Sequence, residues 1–249
     1  MGWTRLLGSA VSSAPLPRAV VRHLLFAHQV GMGSRVLVVG CGHGELVHFF
    51  DELGMDAEGL DESPENVSWA AEHEPRSDFQ LISFPAEQSL EHIGNDEPQN
   101  LIVVRHLTTY DGNLFCPSSF LATAKLLQHL RPNGWFTFVV HRDNSRRSEC
   151  ESHEVSCFAR HLSFFPGTCR VSHFADCELS TIANDWLHLH RHYGEFLVAS
   201  LRVPHVALSA TEWQRLAIRA AESHVGCCCS WAAKHGGAGI QPTSLRRAA

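Results

Sequence analysis

At 249 residues with 44% hydrophobic content, the chain has material for one compact domain with edge elaborations, and falls short of two full domains. No run of about 18 apolar residues occurs, so no membrane-spanning helix is expected. The formal net charge of −6 argues against a broad nucleic-acid-binding face. The 18 His read as mostly scattered over the surface. The 9 Cys show no zinc-ligand spacing, and a disulfide at Cys41 would distort a glycine-rich loop. The thiols are therefore read as reduced and the compartment as cytoplasmic. The Cys227-Cys228-Cys229 run falls in a small-residue tail that is expected to be loosely ordered.

In chain order, the stretch after Arg5 is too short and broken for a secretory signal. Pro17 suits the first turn of a helix, Val20, Val21, Leu24 and Leu25 keep helical spacing, and Gly31 stops it. Val36-Leu37-Val38-Val39 is a continuous apolar run closed by Gly40, the pattern of a strand buried on both faces. Leu46, Val47, Phe49, Phe50 and Leu53 recur at helical spacing, with Gly54 as a cap. Ala57 to Leu60 is a second strand ending in Asp61, and Ser63-Pro64 opens the next helix. Phe79 to Phe84 and Leu101 to Val104 are the third and fourth strands. A helix from Phe120 to Leu130 follows, then a Pro132-Asn133-Gly134 turn and a fifth strand from Trp135 to Val140.

The rhythm then changes. Val155 to Phe165 reads as a helix stopped by Pro166-Gly167. Cys169 to Phe174 and Phe196 to Val203 read as two late strands, a candidate antiparallel pair at a sheet edge. The linking Trp186 to Leu189 stretch shows no helix pattern. The alternation predicts a doubly wound, Rossmann-like α/β sheet, mostly parallel, with helices on both faces. The boundaries expected are an N-terminal helical extension at 1–33, a core domain at 34–205, and a C-terminal helix with a tail at 206–249.

Parallel sheets take ligands at the carboxyl ends of their strands, which directs attention to Gly40-Cys41-Gly42-His43-Gly44. A dinucleotide fingerprint would need Gly or Ala where Glu45 stands, and Glu45 would repel a pyrophosphate at the helix start. A Walker loop is excluded, because no Gly-Lys-Ser/Thr follows. Asp61, at the end of the second strand, suits the hydroxyls of a ribose; its simpler role is support of the following helix start. His106, at the end of the fourth strand, is the preferred proton acceptor, with a local strand-end hydrogen bond as its simpler role. Tyr110 and Arg105 are neighbouring candidates for substrate contact. His188, His190 and His192 alternate, and with His153 and His161 they read as solvated positions; no metal site is expected.

Three stretches carry a family resemblance: Val36 through Gly44, Gly59-Leu60-Asp61-Glu62-Ser63-Pro64, and Leu126 through Phe136. Together they resemble the class I S-adenosylmethionine (SAM)-dependent methyltransferases. The resemblance implies SAM over Gly40–Gly44, Asp61 on its ribose, and a last strand running antiparallel to the others. It gives a cofactor set of Gly40, Cys41, Gly42, Gly44, Asp61, Glu62, Phe84, Glu87 and Arg105, with Phe84 packing on the adenine and Glu87 reaching it. Three positions depart from the family pattern: Val38 before the first glycine, Pro85 after the third strand and Asn100 at the start of the fourth lack the usual acids. The acceptor expected is a small molecule. The alternative reading is a non-catalytic SAM-binding or interaction protein on the same fold, and Glu45 disfavours a nucleotide-dependent oxidoreductase.

Overall fold

A computed structural model describes residues 16, 18–83, 97–105, 107–111, 113–143, 155–175 and 194–223. Expectations for Phe84, Glu87, His106, His153, Trp186–His192 and the Cys227–Cys229 run lie outside these residues. The strands are β1 (Arg35–Val39), β2 (Asp56–Asp61), β3 (Asp78–Leu81), β4 (Gln99–Val104), β5 (Leu130–Asp143), β6 (Thr168–Ala175) and β7 (Gly194–Arg202). The helices are α1 (Arg18–Ala27), α2 (Glu45–Glu52), α3 (Pro64–His73), a short α4 (Thr108–Asp111), α5 (Pro117–Leu127), α6 (Val155–Leu162) and α7 (Ala210–Glu222).

The seven strands form one sheet in the order β3-β2-β1-β4-β5-β7-β6. β1 pairs in parallel with β2 and β4, whereas β7 runs antiparallel to both β5 and β6. The expected mixed sheet is therefore observed, with the reversed strand inserted one place in from the edge. β1 shows why its run is apolar throughout. Leu37 and Val39 join the core beneath α5, α6 and α7, while Val36 and Val38 join the core beneath α1 and α2. Period-two alternation with both faces covered leaves no place for a polar residue.

Local chemistry sets several boundaries. The Ser63 side chain accepts from the Asn66 amide and Pro64 follows it, so α3 starts as predicted. α7 carries a reciprocal capping box between Ser209 and Glu212. β3 begins one residue early and ends at Leu81 rather than Phe84. The Pro132-Asn133-Gly134 turn survives as a kink inside β5. Asn133 has φ 63°, and pairing with β4 jumps from Leu130 to Trp135. The kink is held from the residues just after β7, because the Val203 amide donates to the Gly134 carbonyl.

Two histidines are buried, and the first of them corrects the solvated reading of His161. His161 is fully buried. Its Nδ1 donates to the Leu114 carbonyl at 2.7 Å, its Nε2 meets Thr123 Oγ1 at 2.8 Å, and Phe120 stacks on its ring at 4.6 Å. His28 is 4% exposed. Its Nδ1 donates to the Leu24 carbonyl at 3.0 Å, and its Nε2 sits 2.9 Å from Ser200 Oγ, which accepts from Thr137. Burial pulls the His28 pKa down to about 4, so the ring is neutral and Nε2 accepts.

Candidate functional site

The site grows from the carboxyl ends of β1 and β2. As β1 ends, the Gly40 and Cys41 amides both donate to the Leu60 carbonyl, at 2.7 and 2.9 Å, which ties the loop to β2. Gly40, Gly42 and Gly44 all have positive φ, at 76°, 58° and 83°. This backbone shape favours glycine whether or not a ligand is present. Gly44 adds a packing reason. A methyl group there would fall 2.6 Å from the Phe79 ring and 3.2 Å from the Ala70 side chain. Gly40 and Gly42 line a cavity of about 280 Å³; Gly44 does not.

Asp61 also lines that cavity and is 7% exposed. Its Oδ2 accepts from the Gly42 amide at 2.8 Å. Its Oδ1 accepts from the Ser63 amide at 2.9 Å and from Asn66 Nδ2 at 3.0 Å. A carboxylate offers about four acceptor positions. Three are filled among the described residues, so Asp61 fastens the glycine loop to the start of α3, with one position unclaimed among them. Glu62 lines the next part of the wall, and its Oε2 accepts from both the amide and the hydroxyl of Thr108. Ser63, Asn66 and Thr108 also line it. Two acidic residues thus line the cavity, and among the described residues no Lys or Arg lines it.

The remaining expected residues fall elsewhere. The Cys41 thiol packs in the α1–α2 core, and burial, with the Asp61 charge adding to it, pushes its pKa up to about 12. Arg105 does not line the cavity. Its amide donates to the Val39 carbonyl, and its guanidinium is drawn below its ordinary pKa by burial, with Glu45 acting in the opposite direction. Tyr110 is corrected outright as a substrate contact. It is 3% exposed, its hydroxyl meets Thr123 Oγ1 at 3.0 Å, and burial raises its pKa. Among the described residues no three His, Cys, Asp or Glu side chains gather as a metal site, and no described helix is long and apolar enough to cross a membrane.

A second cavity, of about 370 Å³, lies between α1 and α2. Leu16, Val21, Leu25, Leu46 and Phe49 make it apolar, with Arg22 and Glu45 as its charged lining. Glu45 and Leu46 open α2 directly after the glycine loop, so the two cavities flank one loop-to-helix junction.

Residues 15–169, more than half of the chain, match the family described as a methyltransferase domain. The chain belongs to the methyltransferase domain family. Its SAM-dependent class and SAM as methyl donor, both expected from the resemblance, stand with that membership. No curated protein matches this methyltransferase in sequence. Among solved structures it is similar to the N-methyltransferase NodS from Bradyrhizobium japonicum WM9 in complex with S-adenosyl-L-homocysteine (SAH). The identity is 16%, with 74% of this chain and 85% of that one covered and a TM-score of 0.51. It is also similar to a TehB-like SAM-dependent methyltransferase from Corynebacterium glutamicum ATCC 13032 Kitasato. There the identity is 16%, the coverage 80% and 95%, and the TM-score 0.50. At these identities the methyltransferase shares the fold with both proteins.

Proposed function

We propose that this methyltransferase transfers a methyl group from SAM to a small-molecule acceptor with an apolar body. The observation that carries the reading is the lining of the first cavity: Gly40 and Gly42 together with Asp61 and Glu62, and no basic side chain among the described residues. Such a wall suits ribose hydroxyls and the cationic end of a sulfonium amino acid, and it disfavours a pyrophosphate. When bound, SAM supplies a methyl group already activated on sulfur. The chain's own task is positioning, which contributes about 7–11 kcal/mol in favourable cases. In this reading Gly40 and Gly42 let the donor lie close to the backbone, and Asp61 accepts from a ribose hydroxyl at its remaining position.

The second cavity supports the acceptor class. Its volume lies within the range of small-molecule pockets, its lining is apolar, and it adjoins the same junction. His106 directly follows Arg105 at the end of β4, and its place in the sequence makes it the proposed proton acceptor for an oxygen or nitrogen nucleophile. Calorimetric titration with SAM, SAH and NAD tests the donor, and a panel of apolar amines, phenols and thiols with labelled SAM tests the acceptor. Saturable SAH binding and label transfer are expected. No binding of SAM or SAH at millimolar concentration, or binding of NAD alone, would overturn the reading. His106→Ala is expected to lower turnover with SAH affinity unchanged.

A further inference from the structure

Glu62 and Asp61 are adjacent in sequence and both face the cavity, yet they are held in different ways. Every described partner of Asp61 comes from the loop and from the start of α3. Glu62 reaches across to the segment after β4. There its Oε2 accepts from the Thr108 amide at 2.9 Å and the Thr108 hydroxyl at 2.8 Å. Its Oε1 accepts no hydrogen bond among the described residues.

Thr108 is well placed to hold that carboxylate, because its own segment is anchored from behind. Ser119 Oγ donates to the Thr109 carbonyl at 2.9 Å, and the Tyr110 hydroxyl is bonded to Thr123, which in turn meets buried His161. α5 and α6 therefore fix the backbone that carries Thr108. Fixing one oxygen of a flexible glutamate lowers the entropy cost of using the other.

We propose that Thr108 is a positioning residue for the methyl donor. By occupying Oε2 it presents Oε1 of Glu62 to the cavity as an acceptor for a hydroxyl or exocyclic amine of the nucleoside. A carboxylate in that place repels phosphate, so the pair also selects an unphosphorylated nucleoside over a nucleotide. The inference rests on the reading that this cavity takes SAM.

The test is calorimetric binding of SAH to the full chain and to Thr108→Val, Thr108→Ser and Glu62→Gln, with the melting temperature of each protein measured without ligand. Thr108→Val and Glu62→Gln are expected to weaken SAH about tenfold, and Thr108→Ser to bind within about twofold of the parent protein. A purely structural Thr108 would instead lower the melting temperature and leave the affinity of the folded protein unchanged. That result would overturn the proposal, as would parent-like affinity in Glu62→Gln, which stands as the test if Thr108→Val does not fold. Failure of the parent protein itself to bind SAH would overturn the donor reading, and the latch with it.

Discussion

The network around Asp61 and the network around His28 are both buried polar clusters that join distant parts of the chain, but they end differently. Asp61 ties the glycine loop to α3 and lines a cavity, with an acceptor position unclaimed among the described residues. His28 ties α1 to β5 and β7, and its ring donates once and accepts once, with both nitrogens used inside the protein. Trp135 packs edge-on against that ring at 4.6 Å. Polar satisfaction is the common rule; spare capacity facing a cavity is what separates a site from a clasp. Variants in the loop should therefore divide into those that change binding and those that change stability, while variants at His28 should change stability alone.

The largest effect is expected at Gly44, which belongs to the loop but not to the cavity. Gly44→Val meets both the left-handed backbone and the Phe79 ring, and should destabilise the fold by about 3–5 kcal/mol in urea unfolding. A well-folded variant would show that the loop yields more than its packing implies. Next comes pH. Burial holds the folded His28 ring at about 4 against an ordinary value of 6.5, so the unfolded chain takes up the proton first as pH falls. The contribution is full above about pH 6.5 and is lost towards pH 4, by roughly 3 kcal/mol. His28→Gln should flatten the stability curve across that window, and an unchanged slope would remove His28 as its source.

Asp61→Ala should weaken SAH binding by about 1.5–3 kcal/mol. It should also lower stability, because the Gly42 and Ser63 amides lose their acceptor. Calorimetry and unfolding on the same protein separate the two effects, and unchanged affinity would place the ribose elsewhere. Ser209→Ala, remote from both networks, should lower the melting temperature by only about 2–4 °C through loss of the α7 cap. Any change in SAH affinity there would blur the contrast.

Much of the donor half of the fold is written locally. The apolar run of β1, the glycines after it, and Ser63-Pro64 at α3 act over a few residues, so their patterns can be read directly. What joins those pieces is not local. Gly42 and Asp61 are 19 positions apart, Glu62 and Thr108 are 46, and His28 and Ser200 are 172. No periodicity encodes such pairs. Tyr110 and His161 are hidden in the sequence for a related reason: a hydroxyl and an imidazole are recognised as core groups only when Thr123, their shared partner, is known. Asn66 and Thr108 carried no signal of their own. The Ser209–Glu212 box is the exception, a local signal that could have been found.

The placement of β7 has a consequence for how the chain is made. β5 and β6 are separated in the finished sheet by β7, which pairs with both of them and comes later in the sequence. During synthesis, the free side of β5 stays open until residue 202 has left the ribosome. Until then β5 is an unpaired edge rich in Phe, Val and Trp, the kind that other nascent chains can capture. Truncations ending before β7 should therefore aggregate rather than form a smaller stable domain, however complete their glycine loop.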